Sequence, residues 1–174
     1  MMELTKQEKA VCIAVTRRAS ALLEDLRRHV ALPTGHGNIA ALDESRVLLT
    51  QRLGKLGAQV TSIPGDPKAA WLYETADSGV VPPTAVARRA VAGAHSVLLC
   101  GHLDTVHDPR GAFRELVTSP DGKTATGPGC VDMKGGLVIA VAALEALDEA
   151  GVNASWGFIL NSDEETGSYH SAAA

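Results

Sequence analysis

The sequence predicts an α/β fold. Amphipathic stretches long enough for helices alternate along the chain with short apolar runs suited to buried strands. The clearest helix signal is an apolar stripe at steps of three and four, and the clearest strand signal is the unbroken run Val97-Leu98-Leu99-Cys100. Gly and Pro clusters punctuate the elements.

Residues 7–32 read as one helix, because Cys12, Val15, Ala19, Leu22, Leu26 and Val30 fall on one face. Pro33 stops it, and residues 33–38 (PTGHGN) form a turn-rich loop. A second helix over 42–56 points Leu42, Leu49, Leu53 and Leu56 inward. Gly57 follows it, where a helix C-terminus favours a left-handed residue. Residues 58–63 alternate as a strand and end at Pro64-Gly65; residues 64–84 hold four prolines and read as loop. Residues 85–91 and 96–101 are strands, and the run 97–100 is expected to be central and buried. Pro120-Asp121-Gly122 between 113–118 and 123–126 signals a hairpin. A helix over 137–150 closes at Gly151, and 156–160 is another short buried strand.

The 174 residues are enough for one domain with a core, and 45% hydrophobic with 21% charged residues is ordinary for a globular protein. A net charge of −4 and few aromatics argue against nucleic acid or an anionic membrane as partner. Cys12, Cys100 and Cys130 are odd in number and lack CxxC spacing, so a disulfide framework is not expected. A reducing, cytoplasmic setting fits. The first residues, MMELTKQEKA, lack the apolar run of a signal peptide, and no segment approaches a membrane span.

Three polar clusters stand just beyond predicted strands or at a helix entrance, where ligands bind in open α/β sheets. The first is Gly101-His102-Leu103-Asp104, in which imidazole can ligate a metal while a carboxylate two residues on holds the other ring nitrogen. The second is residues 127–136, where Asp132 can be a ligand in a glycine-rich turn. The third is Asp163-Glu164-Glu165, where one carboxylate can ligate and another move protons. Each has a plainer reading on its own: a hydrogen-bonded loop histidine, a helix-capping aspartate, a solvated acidic loop. A phosphate-binding nucleotide module is the rival function for residues 127–136. That pattern fails, since GPGCVD has Asp where GxGxxG needs its third Gly. No HExxH or GxSxG occurs either. What favours metal chemistry is the conjunction of His, Asp and Glu at three element ends.

GHLDTV, CVDMKGG and SDEETGS together resemble the family of glutamate carboxypeptidase, acetylornithine deacetylase and succinyl-diaminopimelate desuccinylase. The spacing also resembles the family's: 102 to 132 is 30 residues and 132 to 165 is 33. The upstream PTGHGN loop resembles the family's start. The resemblance implies a three-layer zinc-exopeptidase-like core with a mostly parallel or mixed central sheet. It implies two zinc ions, with cobalt able to substitute. His102 would ligate one zinc, Asp132 bridge both, and Glu165 ligate the second. Asp104 would orient His102, Glu164 would be the general base, and the Asp132–Met133 peptide would be cis. The implied reaction is hydrolysis of an amide bond in a peptide or N-acyl amino acid, with a lean toward glutamate-carboxypeptidase-like members.

Members of that family are longer. They carry a further acidic ligand, a late histidine ligand and an inserted lid or dimerisation domain, and the full-length relatives are expected to be homodimers. His170 is too close to Glu165 to match the late histidine. Residues 1–174 are therefore expected to be the N-terminal portion of the catalytic domain, truncated and inactive alone as a non-catalytic fragment. The other histidines, His29, His36, His95 and His170, read as surface residues, and His107 as an exposed loop residue. Cys130 reads as a small buried residue with a minor chance of approaching the metals. Lys134 is left between pairing with an acid and no partner.

Overall fold

A computed structural model of the chain describes residues 3–35, 37–67 and 81–174. The surface reading of His36 and the middle of the proline-rich loop over 64–84 lie outside them. Thr5 opens the first helix through a capping box: its hydroxyl accepts the Glu8 N–H at 3.2 Å, and its own N–H donates to the Glu8 carboxylate at 2.7 Å. The expected single helix is in fact two, α1 (Lys6–Arg17) and α2 (Ala19–Ala31), which meet at Arg18. No Gly or Pro marks this bend. Arg18 is held there by its side chain, which donates to the Ala14 carbonyl at 3.0 Å and pairs with Glu149 at 2.6 Å. Val15 of the expected stripe is 43% exposed.

α3 (Ile39–Lys55) follows, and Gly57 takes φ +80°, the left-handed conformation the sequence predicts after this helix. The strands are β1 (Gln59–Ile63), β2 (Thr84–Arg89), β3 (Ser96–His102) and β6 (Ser155–Asn161), with α4 (Gly135–Glu149) before β6. The hairpin is shorter than expected. Only β4 (Val117–Thr118) and β5 (Ala125–Thr126) pair, around the Pro120-Asp121-Gly122 turn.

The main sheet runs β1-β2-β6-β3. β1 with β2 and β2 with β6 are antiparallel, whereas β3 with β6 is parallel, so the sheet is mixed and the class is α/β. Its inward side chains, Ala85 and Ala87 of β2 and Trp156, Phe158 and Leu160 of β6, alternate along each strand. They meet Leu42, Leu49 and Leu53 of α3 and Leu137 and Val141 of α4. Full burial of each such leucine or phenylalanine contributes roughly 1.5–3 kcal/mol, so this seam fixes both helices on one face. α1 and α2 pack in turn on α4.

One expectation about the sheet needs correction. The run Val97–Cys100 is not central: β3 is the edge of the sheet, and Val97 and Leu98 are 56% and 64% exposed. An unbroken apolar run signals cover on both faces and neighbours on both edges. Among the described residues only β6 and α4 supply these. The fold class itself holds, a mixed α/β core of truncated size whose described helices α3 and α4 lie on one face of the sheet. The opposite face, with Val86, Leu98 and Ile159 around a cavity of about 350 Å³, meets no helix among the described residues.

Candidate metal centre

The parallel pairing of β3 with β6 sets the two chain ends that matter side by side, His102 against Asn161. Both strands then turn into loops on the same side, and the loop before α4 enters beside them. Three segments far apart in sequence converge by this topology alone.

His102 is buried at the end of β3. Its Nδ1 donates to the Asp104 main-chain carbonyl at 3.0 Å, which fixes the tautomer and leaves Nε2 facing the cleft. Nε2 lies 2.9 Å from Asp132 Oδ1 and 3.9 Å from Glu164 Oε2. Asp132 does not cap the following helix: α4 has no side-chain cap, and the carboxylate is turned to His102 instead. The Asp132–Met133 peptide is cis. His102, Asp132 and Glu165 each offer a ligating atom within 4.8 Å of the others.

Asp104 acts differently from the simple pairing with imidazole. Its carboxylate is 3.5 Å from His102 Nδ1, longer than a hydrogen bond. The same carboxylate accepts the backbone N–H of Glu165 at 2.9 Å and of Glu164 at 3.2 Å. One buried acid thus ties the first motif to the third. Asp163, also buried, accepts the N–H groups of His170 at 2.7 Å and Ser171 at 3.2 Å, holding the far side of that loop. Ser162 accepts from the buried Arg46 guanidinium of α3 at 2.8 Å. Arg46 also pairs with Asp43. Motif reading includes Asp163 in the third cluster without its holding role and misses Arg46 altogether, because both roles depend on which loop folds beside them.

The stretch 33–35 docks on the first motif, where Thr105 N–H donates to Thr34 O at 3.1 Å. Lys134 is buried and donates to the Leu32 carbonyl at 2.6 Å, so its partner is a main-chain oxygen rather than an acid. Burial alone lowers its pKa to about 8. His29 is a further correction: it is buried, not at the surface, because α2 turns it inward. His95 is exposed and His170 half-buried. His107 is half-buried with an edge-on contact to Phe113, ring centroids 5.3 Å apart. Cys130 is half-buried and outside the ligating cluster.

The electrostatics fit a cation. Burial works against a charged His102, yet the Asp104 and Asp132 carboxylates outweigh it and raise its pKa to about 9. Burial and the charge of Asp132 push the Glu165 carboxyl upward. Burial would also raise Asp104, but the His102 ring and the Glu165 N–H lower it overall. Crowded carboxylates that hold a proton on imidazole are a donor set suited to a metal ion: one nitrogen and carboxylate oxygens, with Nε2 presented and Nδ1 anchored behind.

Known proteins resemble this chain in sequence and in fold. Residues 98–174, which contain all three motifs, match peptidase family M20/M25/M40. Carboxypeptidase G2 of Pseudomonas sp. (strain RS-16) is 31% identical over 169 residues, covering 95% of this chain and 38% of that protein. Human carnosine dipeptidase 1 superposes with a TM-score of 0.76 at 20% identity, over 92% of this chain and 35% of that one. An M20 family metallo-carboxypeptidase from Sulfolobus solfataricus superposes with a TM-score of 0.59 at 21% identity, over 84% and 32%. Residues 98–174 thus fall in peptidase family M20/M25/M40, and the chain spans well under half the length of the relatives it matches.

Proposed function

We propose that this chain carries part of the centre of a two-zinc amide hydrolase that acts on small peptides or N-acyl amino acids. His102 would serve one zinc, Glu165 the second, and Asp132 both, with cobalt able to substitute. The observation that supports this most is the meeting of the three ligating groups within 4.8 Å, with the Glu164 carboxylate at their margin. Bound metal would lower the pKa of water and polarise the scissile carbonyl. Glu164 would take the water's proton and deliver it to the leaving nitrogen. Asp104 holds the base and its neighbour by their backbone N–H groups, and its main-chain carbonyl keeps His102 in register.

Each metal would have two protein ligands from this chain: His102 with Asp132, and Asp132 with Glu165. Catalytic zinc sites have three as a rule. The 174 residues are therefore expected to bind zinc weakly and to be inactive alone. The carboxypeptidase relative supports peptides with a C-terminal amino acid as the substrate class, and a deacylase is the second substrate reading. A cytoplasmic setting suits three unpaired cysteines. No helix among the described residues is long and apolar enough to cross a membrane. The test is calorimetric titration of the chain with zinc, beside an assay for amino acid released from N-acyl amino acids and glutamyl-terminated peptides. Weak binding abolished in Asp132→Ala, without turnover, is the expected result. Turnover that disappears in Glu164→Ala would show that the partial ligand set suffices.

A further inference from the structure

We propose that Met133 is a positioning residue for the metal centre, its thioether sulfur closing the backbone of His102. The inference rests on the metal-site reading above. It begins with strand geometry. Successive N–H groups of a strand point to opposite edges. Leu103 N–H donates to Asn161 O of β6 at 2.9 Å, so the N–H of His102 points away from β6, toward the free edge of the sheet. Among the described residues no strand is there to receive it. Met133 Sδ lies 3.2 Å from that nitrogen and is its acceptor.

The surrounding sequence makes room for this reach. A Cβ on Gly101 would come within 3.3 Å of Met133 Cε, and one on Gly136 within 3.2 Å. The glycine before His102 and the second glycine after Lys134 thus form the slot in which the long, unbranched side chain lies. A branched or polar side chain would not follow that path to the strand edge. Met133 therefore joins two ligands: its backbone continues directly from Asp132, and its sulfur fixes the strand end that carries His102. The pair it registers is the contact between His102 Nε2 and Asp132 Oδ1 at 2.9 Å.

The competing explanation is that Met133 only fills space, since it also packs against the core. Norleucine separates the two, because it replaces the sulfur by a methylene and keeps the length and shape. The chain has three methionines, Met1, Met2 and Met133. Biosynthetic replacement of all methionine by norleucine therefore alters one site among the described residues, Met133. Selenomethionine is the conservative control, as selenium remains an acceptor.

The experiment compares ¹⁵N-labelled parent, norleucine and selenomethionine proteins by amide hydrogen exchange at His102 and Leu103 and by zinc titration. Norleucine is expected to speed exchange at His102 by about threefold or more with Leu103 unchanged. It is expected to weaken zinc binding by roughly three- to tenfold. The selenomethionine protein should match the parent. A parent that binds zinc, matched by the norleucine protein in both measurements, overturns the inference. A parent that binds no zinc, with His102 exchange still responding to norleucine, overturns the metal reading and leaves the sulfur contact standing.

Discussion

The Asp104 carboxylate receives the backbone N–H of Glu165 at 2.9 Å, and so the loop after β3 holds the loop after β6. The acid is 2% exposed and accepts a second N–H, from Glu164, through its other oxygen. This makes both oxygens necessary. In Asp104→Asn one oxygen becomes an amide NH₂ that faces an N–H donor, at nearly unchanged volume. Zinc affinity is expected to fall roughly 10–100-fold, and stability by about 1.5–3 kcal/mol, the range for a buried charged hydrogen bond. Zinc titration and urea unfolding of the two proteins measure these together. An unchanged zinc affinity would contradict the holding role.

Arg46 supports the same loop from the opposite side, through Ser162. Its partner Asp43 is half-exposed, so removing the guanidinium strands no buried charge. Arg46→Met keeps most of the packing and should cost about 1–2 kcal/mol, smaller than the Asp104 substitution. Chemical denaturation of both variants in parallel checks the order. A larger loss for Arg46→Met would show that this loop is anchored mainly from α3.

The three motifs were readable because each lies at an element end, and strand runs such as 156–160 mark those ends plainly. Parallel alignment of β3 and β6 then does the rest. The bend at Arg18 was not readable, since its cause is a pair of glutamates on α4, more than a hundred residues on. His29 was misread for a related reason: whether an isolated histidine faces water depends on what packs over α2. The site of Val97–Cys100 at the edge was hidden because apolar runs report the cover a strand is suited to, not the cover at hand. The partner of Asp104 was half legible. The pattern places an acid near His102, but only the fold shows that its carboxylate serves Glu164 and Glu165.

His29 gives a pH dependence. It is 3% exposed, and its Nδ1 has no hydrogen-bond partner. Burial lowers its pKa from 6.5 to about 4, with Asp25 opposing and Arg52, Lys134 and Arg28 reinforcing. The unfolded chain takes up this proton as pH falls through 6.5, whereas the folded chain does so only near 4. The contribution is therefore complete above pH 6.5 and is lost progressively on the way down to 4. Between pH 7 and pH 5 the loss amounts to about 2 kcal/mol. Urea unfolding of the parent and of His29→Leu across that interval should show the difference between them shifting by this amount. Parallel pH profiles would refute the buried neutral histidine.

The free edge and open face of the sheet lead to the last prediction. Val97 and Leu98 on β3 are exposed, and the strand's outer hydrogen-bonding groups before His102 have no neighbouring strand among the described residues. An apolar edge of this kind pairs readily with other chains. At 64% exposure, Leu98 contributes little to the core, so Leu98→Lys should change stability by no more than about 0.5 kcal/mol. The same change places a charge on the edge, where it opposes strand-to-strand contact. Light scattering at increasing concentration should show the parent chain associating and the Leu98→Lys protein staying smaller. The zinc affinities should agree, because Leu98 lies four residues before His102 and faces away from the helices. If both proteins scatter alike while their unfolding curves coincide, association does not run through β3.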